Sequence, residues 1–208
     1  MRYFITGTDT DVGKTVAAAW TMLHLEATYW KPVQAGIEEE TDEAQIRRIT
    51  GAGDDRIHDS AYVLPDPLSP HEAAKRAGVT IDMAAFALPD ADGPLVVEGA
   101  GGLMVPLNQT SYMIDLIEMF GLPAILVARS SLGTINHTLL SLGALRARRI
   151  PVAGVVLNGQ PSPHNREAIE TYGAVRVLAE IPPLDPLCRE TLLAIKPECD
   201  LTKATVPA

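Results

Sequence analysis

Cysteine is scarce in this chain: two in 208 residues, Cys188 and Cys199, both late. Neither stands in the short paired spacing of a thiolate metal site, and a reduced, cytoplasmic protein is the expectation. Uninterrupted apolar runs of membrane-spanning length are missing. Met1-Arg2-Tyr3-Phe4-Ile5 enters a strand at once, so no export leader is expected. Repeats and low-complexity tracts are absent. Positive charge is in deficit, with 17 Lys and Arg against 26 Asp and Glu and a net charge of −9. That balance excludes a general nucleic-acid surface and an anionic membrane partner, while leaving room for a local basic pocket. What is present, 47% hydrophobic and 21% charged residues, is ordinary for a globular protein. One α/β domain over 1–208 is expected, with a tail from Lys196 that frays.

The chain is organised around Ile5-Thr6-Gly7-Thr8-Asp9-Thr10-Asp11-Val12-Gly13-Lys14-Thr15. A short apolar strand precedes it, and Val16 to Leu23 reads as a helix. Strand, loop with Gly-Lys-Thr, then helix is the order of a phosphate-binding P-loop. Its backbone N–H groups and helix N-terminus suit anionic oxygens. Lys14 is placed to reach the outer phosphates and Thr15 to hold Mg²⁺. The strict pattern requires glycine where Thr8 stands; here the glycine is one place earlier, at Gly7.

Thr28-Tyr29-Trp30 reads as a second strand, with Lys31 at its C-terminal end before Pro32 and Gly36 stop regular structure. In isolation Lys31 reads sooner as a solvated lysine, but in parallel sheets that edge binds ligands, and the position shifts the balance. Glu38 to Glu43 is an acidic run leading into a helix over 44–50, capped by Thr41. One of its carboxylates at a helix start suits Mg²⁺. Asp42 is best placed, and spacing alone does not separate it from Glu40 or Glu43. A polar connection over 51–59 precedes a strand over 61–64 and a helix opened by Ser69 and Pro70. His71 in its first turn is either surface or pocket wall. A second helical segment over 81–88 follows.

Pro94-Leu95-Val96-Val97-Glu98-Gly99-Ala100-Gly101-Gly102 is the second informative stretch. An acid ending an apolar strand beside a P-loop occupies the position that holds Mg²⁺ or its water, and the glycines admit a ligand to the backbone. Ser111 to Phe120 has one apolar helical face through Met113, Ile114 and Ile117. Strands over 123–128, 152–158 and 175–181 alternate with helices from about Thr134, from Pro163 and over 188–195. Arg146, Arg148 and Arg149 suit the negative end of the first of these helices. The apolar strand runs separated by helices predict a mostly parallel sheet covered on both faces. Lys14, Lys31, Glu98, Gly133, Asn158 and Pro182 all fall just after strands, so one edge makes one site. Asn158 offers donor and acceptor to a purine edge.

Taken together, Gly7 to Thr15, Lys31-Pro32-Val33, Ser69-Pro70-His71, Val97 to Gly102, Leu132-Gly133-Thr134-Ile135-Asn136-His137 and Ile181-Pro182 resemble the dethiobiotin synthetase family over nearly the full length. The resemblance implies a P-loop NTPase-like fold and a homodimer. It also implies a reaction in which 7,8-diaminopelargonic acid, CO₂ and ATP give dethiobiotin, ADP and phosphate. By matching position, Lys31 and Lys14 are catalytic, and Thr15, Asp42 and Glu98 hold Mg²⁺. Asp11, Val12, Gly13, Lys14, Thr15 and Val16, with Glu98, Gly99, Ala100 and Gly101, surround the phosphates. Asn158, Ile181, Pro182 and Pro183 hold adenine. Thr10, Lys31 and Ala35 lie toward the substrate, and Gly133, Thr134 and Asn136 take the carboxylate of a substrate bound in the partner subunit. Two departures stand out. The family usually has Ser or Thr at Ala35, and beyond Pro183 its C-terminal nucleotide-contacting acid has no counterpart assigned here. The alternative is a partition-type switch ATPase of similar fold. Its P-loop carries an extra lysine near the start, where this chain has Thr8-Asp9-Thr10, and it has no use for the Lys31 and Gly133 segments.

Overall fold

Strand β1 (Arg2–Gly7) lies at the centre of the sheet, with Tyr3, Phe4 and Ile5 fully buried. The computed structural model describes residues 1–38 and 40–203. Helix α1 (Lys14–Leu25) follows, then β2 (Thr28–Trp30), β3 (Val33–Ala35), α2 (Asp42–Thr50), β4 (Ile57–His58), β5 (Tyr62–Leu64) and α3 (Pro70–Arg76). Strand β6 (Leu95–Gly102) leads to α4 (Met113–Phe120), β7 (Ala124–Arg129), α5 (Thr134–Ala147), β8 (Val152–Asn158), α6 (Pro163–Gly173), β9 (Val177–Ile181) and α7 (Arg189–Ala194). Seven strands form one sheet in the order β4-β2-β6-β1-β7-β8-β9, parallel at every pairing, as the apolar runs predict.

Alternation along the strands divides the core in two. Tyr3, Ile5, Tyr29, Val96, Ile125 and Val127 face one side, under Trp20 of α1, Ile46 of α2 and Leu192 of α7. Phe4, Trp30, Val97, Leu126 and Leu157 face the other, under Ile114 of α4, Leu142 of α5 and Ile169 of α6. The chain runs from β1 outward to β2 on one side, and from β7 to β8 on the other. Right-handed crossovers therefore place α1 and α5 on opposite faces. The crevice left at the strand C-termini is the usual ligand position of such sheets.

Helix α1 is buried nearly all round, with Ala17, Ala18 and Ala19 allowing close approach to the strands. It starts two residues before the expected Val16. The Thr41 hydroxyl caps α2 by accepting from Ala44 N–H at 3.2 Å, as expected. Several local expectations need correction. The helix over 81–88 is one 3₁₀ turn, Met83–Ala85. Ile81 and Phe86 are both buried and Phe86 meets Tyr62 edge-on at 5.4 Å, whereas in a helix two residues five apart would lie about 140° apart, on different faces. The polar connection over 51–59 contains β4, the sheet edge, whose two residues are too few to carry a periodic signal. Regular structure also resumes after Pro32: β3 pairs in parallel with β5 in a separate small sheet.

The α5 arginines do not serve its own C-terminus alone. Arg146 donates to the carbonyls of Gly173 and Ala174, and Arg148 pairs with Asp115 and Glu118 of α4. The Ser69 hydroxyl meets His71 Nδ1 at 3.1 Å instead of capping α3, and His71 is exposed. In the tail from Lys196, Glu198 N–H donates to Leu178 O at 2.9 Å and Leu201 is buried, while Thr202 and Lys203 are exposed. Residues 204–208 of that tail, and Glu39 of the acidic run, lie outside the described residues.

Candidate active site

The register of β2 against β6 sets Tyr29 beside Val96 and Trp30 beside Val97, which carries Lys31, just past β2, to Glu98 within β6; that strand runs on to Gly102, so the acid does not end it as expected. By alternation Tyr29, Lys31 and Glu98 belong to the face covered by α1 and α2. The first turns of those helices bring in Thr15 and Asp42. Lys31 Nζ lies 2.7 Å from Asp42 Oδ2 and 3.1 Å from Glu98 Oε1. Thr15 Oγ1 lies 2.6 Å from Asp42 Oδ1 and 3.0 Å from Glu98 Oε1. Lys31 is 4% exposed and Glu98 1%, so this is an ion cluster withdrawn from water.

Its charges follow from that burial. Burial alone would lower the Lys31 ammonium, but the Glu98 and Asp42 carboxylates outweigh it and lift Lys31 above its ordinary value. For Asp42 burial pushes up, yet the charge and hydrogen bond of Lys31 hold the carboxyl below its usual range. For Glu98 burial prevails over Lys31 and pushes the carboxyl up. Burial pulls Lys14 down, partly countered by Glu98. Lys14 Nζ donates to Asp9 O at 3.0 Å, folded back over the loop.

The donor set fits Mg²⁺. Thr15 Oγ1 carries one proton yet sits against two carboxylate oxygens, so only one of the two contacts can be a hydrogen bond from it. Three converging hard oxygens are what a small divalent cation accepts. Among the described residues no group of three His, Cys, Asp or Glu forms a fuller cage.

Around this cluster the loop is shaped by backbone. Gly13 has φ of 91°, and a Cβ there would fall 2.2 Å from Asn158 Nδ2, so the Asn158 amide lies directly on the P-loop. Asn158 pairs with Ile181 in register, and Gly159 N–H donates to Ile181 O at 2.8 Å. Asn158, Ile181, half-buried Pro182 and exposed Pro183 thus stand at one edge beside Gly13. Asp11 adopts φ of 55° and is exposed, Val12 is buried, and Val16 packs on the α1-side core. In β6, Gly101 has φ of 66°, and a Cβ there would meet Val105 at 2.6 Å; Gly99 and Ala100 lie in the same strand. Thr10 N–H donates to Asp9 Oδ1, and Asp9 pairs with Arg129 at 2.7 Å. Ala35 ends β3, half-buried, its carbonyl accepting from Gln34 Nε2.

The structure therefore gathers Thr15, Lys31, Asp42 and Glu98, with Lys14 adjacent. Gly133, Thr134 and Asn136 sit apart at the start of α5. Gly133 and Asn136 are exposed, while Thr134 is buried with its hydroxyl toward Thr138. A cavity of about 320 Å³ opens on the α5 side, lined by Thr10, Leu103, Met104, Val105, His137 and Leu140 among others, and does not include Lys31. Two residues escaped the sequence reading. Tyr29 donates to Glu98 Oε2 at 2.9 Å. Buried Gln34 ties Asp42 N–H to the carbonyls of Ala35 and Gly36. Nearness to Lys31 in sequence does not distinguish either from a packing residue inside a strand.

Residues 1–191 match the AAA domain family. The chain is 57% identical over 194 residues to the ATP-dependent dethiobiotin synthetase BioD of Paramagnetospirillum magneticum, covering 93% of this chain and 94% of that one. It is 52% identical over 192 residues to the protein of the same name in Agrobacterium fabrum, covering 92% and 91%. Among solved structures, the ParA family ATPase from Chlorobium tepidum TLS superposes with a TM-score of 0.51 at 13% identity, covering 92% of this chain and 87% of that one. At that identity the likeness is one of fold alone. No helix among the described residues is long and apolar enough to cross a membrane.

Proposed function

The chain belongs to the ATP-dependent dethiobiotin synthetase family, and from that premise we propose that it is an ATP-dependent ligase of biotin biosynthesis acting on 7,8-diaminopelargonic acid and CO₂. One substrate amine adds to CO₂ and loses a proton, giving a carbamate. A carbamate oxygen attacks the γ-phosphorus, the bond to the β–γ bridging oxygen breaks, and ADP leaves. The second amine attacks the carbonyl carbon of the mixed anhydride. The ureido ring closes, and phosphate departs with the former carbamate oxygen while the amine proton passes to solvent.

The observation that carries this reading is the buried cluster of Lys31 with Asp42, Glu98 and Thr15 at the mouth of the P-loop. An anionic carbamate must approach a polyphosphate, so the main demand is charge control. Lys31, kept protonated by two carboxylates, supplies positive charge without a protein nucleophile. Lys14 needs only to turn from Asp9 O to meet phosphate. Thr15, Asp42 and Glu98 would hold Mg²⁺, which when bound neutralises phosphate charge. The Gly13 backbone orients the phosphates, and Asn158 with Ile181, Pro182 and Pro183 takes the base.

The apolar wall of Leu103, Met104, Val105 and Leu140 suits a hydrocarbon chain, with Thr10 at its P-loop end. The exposed start of α5 receives the carboxylate of a substrate held by a second copy of the chain. Leu132 at 98% exposure, with Leu140 and Met104, supports such a partner on this face. ADP release with the diamine present is expected to require CO₂. Release at the same rate in CO₂-depleted buffer would instead indicate a small-molecule kinase or a switch ATPase.

A further inference from the structure

Tyr29 has no place in the scheme above, yet its hydroxyl ends on the central carboxylate. Its ring is fully buried on the α1 face, and its backbone is fixed on both sides by pairing with Val96 of β6 and Ile57 of β4. The two oxygens of Glu98 are treated differently. Oε1 faces Thr15 Oγ1 at 3.0 Å and Lys31 Nζ at 3.1 Å, whereas Oε2 accepts from Tyr29 at 2.9 Å. The Glu98 carboxylate, carried within β6, can otherwise rotate about its last torsion, which is broad. A phenol held on β2, between β4 and β6, removes that freedom and leaves one oxygen for the site.

We infer that Tyr29 is a positioning residue: its hydroxyl locks the Glu98 carboxylate so that Oε1 alone is presented beside Thr15 and Asp42. Groups that orient a ligating carboxylate affect metal affinity by about tenfold to a hundredfold without touching the ion. The inference rests on reading Thr15, Asp42 and Glu98 as the Mg²⁺ oxygens. It makes the site depend on a residue that, by position in a strand, looks like ordinary core.

The test is equilibrium binding of ADP by calorimetry to the full chain across a range of Mg²⁺ concentrations, with melting temperature measured alongside. Tyr29→Phe removes one oxygen. Tyr3→Phe is the control, since Tyr3 is also fully buried and donates to a distant carbonyl, that of Leu201. Tyr29→Phe is expected to raise the Mg²⁺ half-saturation about tenfold, while Tyr3→Phe leaves it at the wild-type value. In a Glu98→Gln background, adding Tyr29→Phe is expected to change half-saturation no further. This pair also keeps the test open if the single variant, with one oxygen of a buried carboxylate left without its donor, is too unstable. Wild-type half-saturation in Tyr29→Phe, with a loss of melting temperature like that of Tyr3→Phe, would overturn the inference. So would an additive tenfold loss in the Glu98→Gln background. ADP binding to wild type that ignores Mg²⁺ would overturn the metal reading itself, and this inference with it.

Discussion

At Lys31 two opposed effects decide the state of one side chain. Burial works against the charge, and two carboxylates within hydrogen-bonding distance restore it. Removing one member of such a buried set leaves the others uncompensated, at a cost of about 3–5 kcal/mol. Lys31→Ala is therefore expected to melt lower than wild type in chelator, and to be raised by Mg²⁺ more than wild type is. Its turnover should fall by roughly 10²–10³-fold, the usual loss when a charge partner of the transition state is removed. Near-normal turnover would take Lys31 out of the chemistry. Lys31 and Thr15 could be singled out in the sequence because one stands just after a strand and the other in a phosphate loop, and Glu98 because an acid followed by glycines interrupts an apolar run, although its strand continues to Gly102. Asp42 was separable from Glu40 and Glu43 only by resemblance. The structure distinguishes it physically, since Glu40 pairs with Arg48 and Glu43 accepts from Ser60. Tyr29 and Gln34 were not legible, because a residue inside a strand looks like packing until the register shows what its polar atom reaches.

At the scale of elements, α1 ties the phosphate loop to the C-terminal part of the chain. Trp20 Nε1 donates to Ile195 O at 2.8 Å, and His24 Nε2 lies 3.0 Å from the same carbonyl. Burial lowers the His24 imidazole below its ordinary value, more than the Ile195 carbonyl raises it. The unfolded chain therefore takes up this proton at higher pH than the folded one. Stability from neutral His24 is complete above the ordinary histidine range, and is lost as pH falls below it toward the lowered folded value. Melting temperature is expected to decline more steeply from pH 7 to 5 in wild type than in His24→Gln; parallel curves would contradict this assignment. The long apolar strands and their helices were evident from the chain alone, because a buried parallel strand needs an unbroken apolar run. The two-residue β4 and the 3₁₀ turn at Met83–Ala85 were not. Elements that short are fixed by what they pack against, here β2 for the one and buried Ile81 and Phe86 for the other.

For the whole molecule, the parallel sheet brings the P-loop, Lys31, Glu98 and Asn158 to one edge, and leaves the start of α5 exposed beside Leu132. If that helix start serves a neighbour, inactive Lys31→Ala chains mixed with inactive Asn136→Asp chains should regain part of the activity. Each mixed dimer then holds one site with both residues intact. No recovery after subunit exchange has been demonstrated would mean that each chain works alone. The central claim is that the Lys31 cluster brings a carbamate oxygen to the γ-phosphorus, and the fate of one oxygen atom tests it most directly. With ¹⁸O-labelled CO₂, diamine and ATP followed over a single turnover, the account predicts one labelled oxygen in the released phosphate. Phosphate carrying no label from CO₂, with dethiobiotin formed or not, would contradict it.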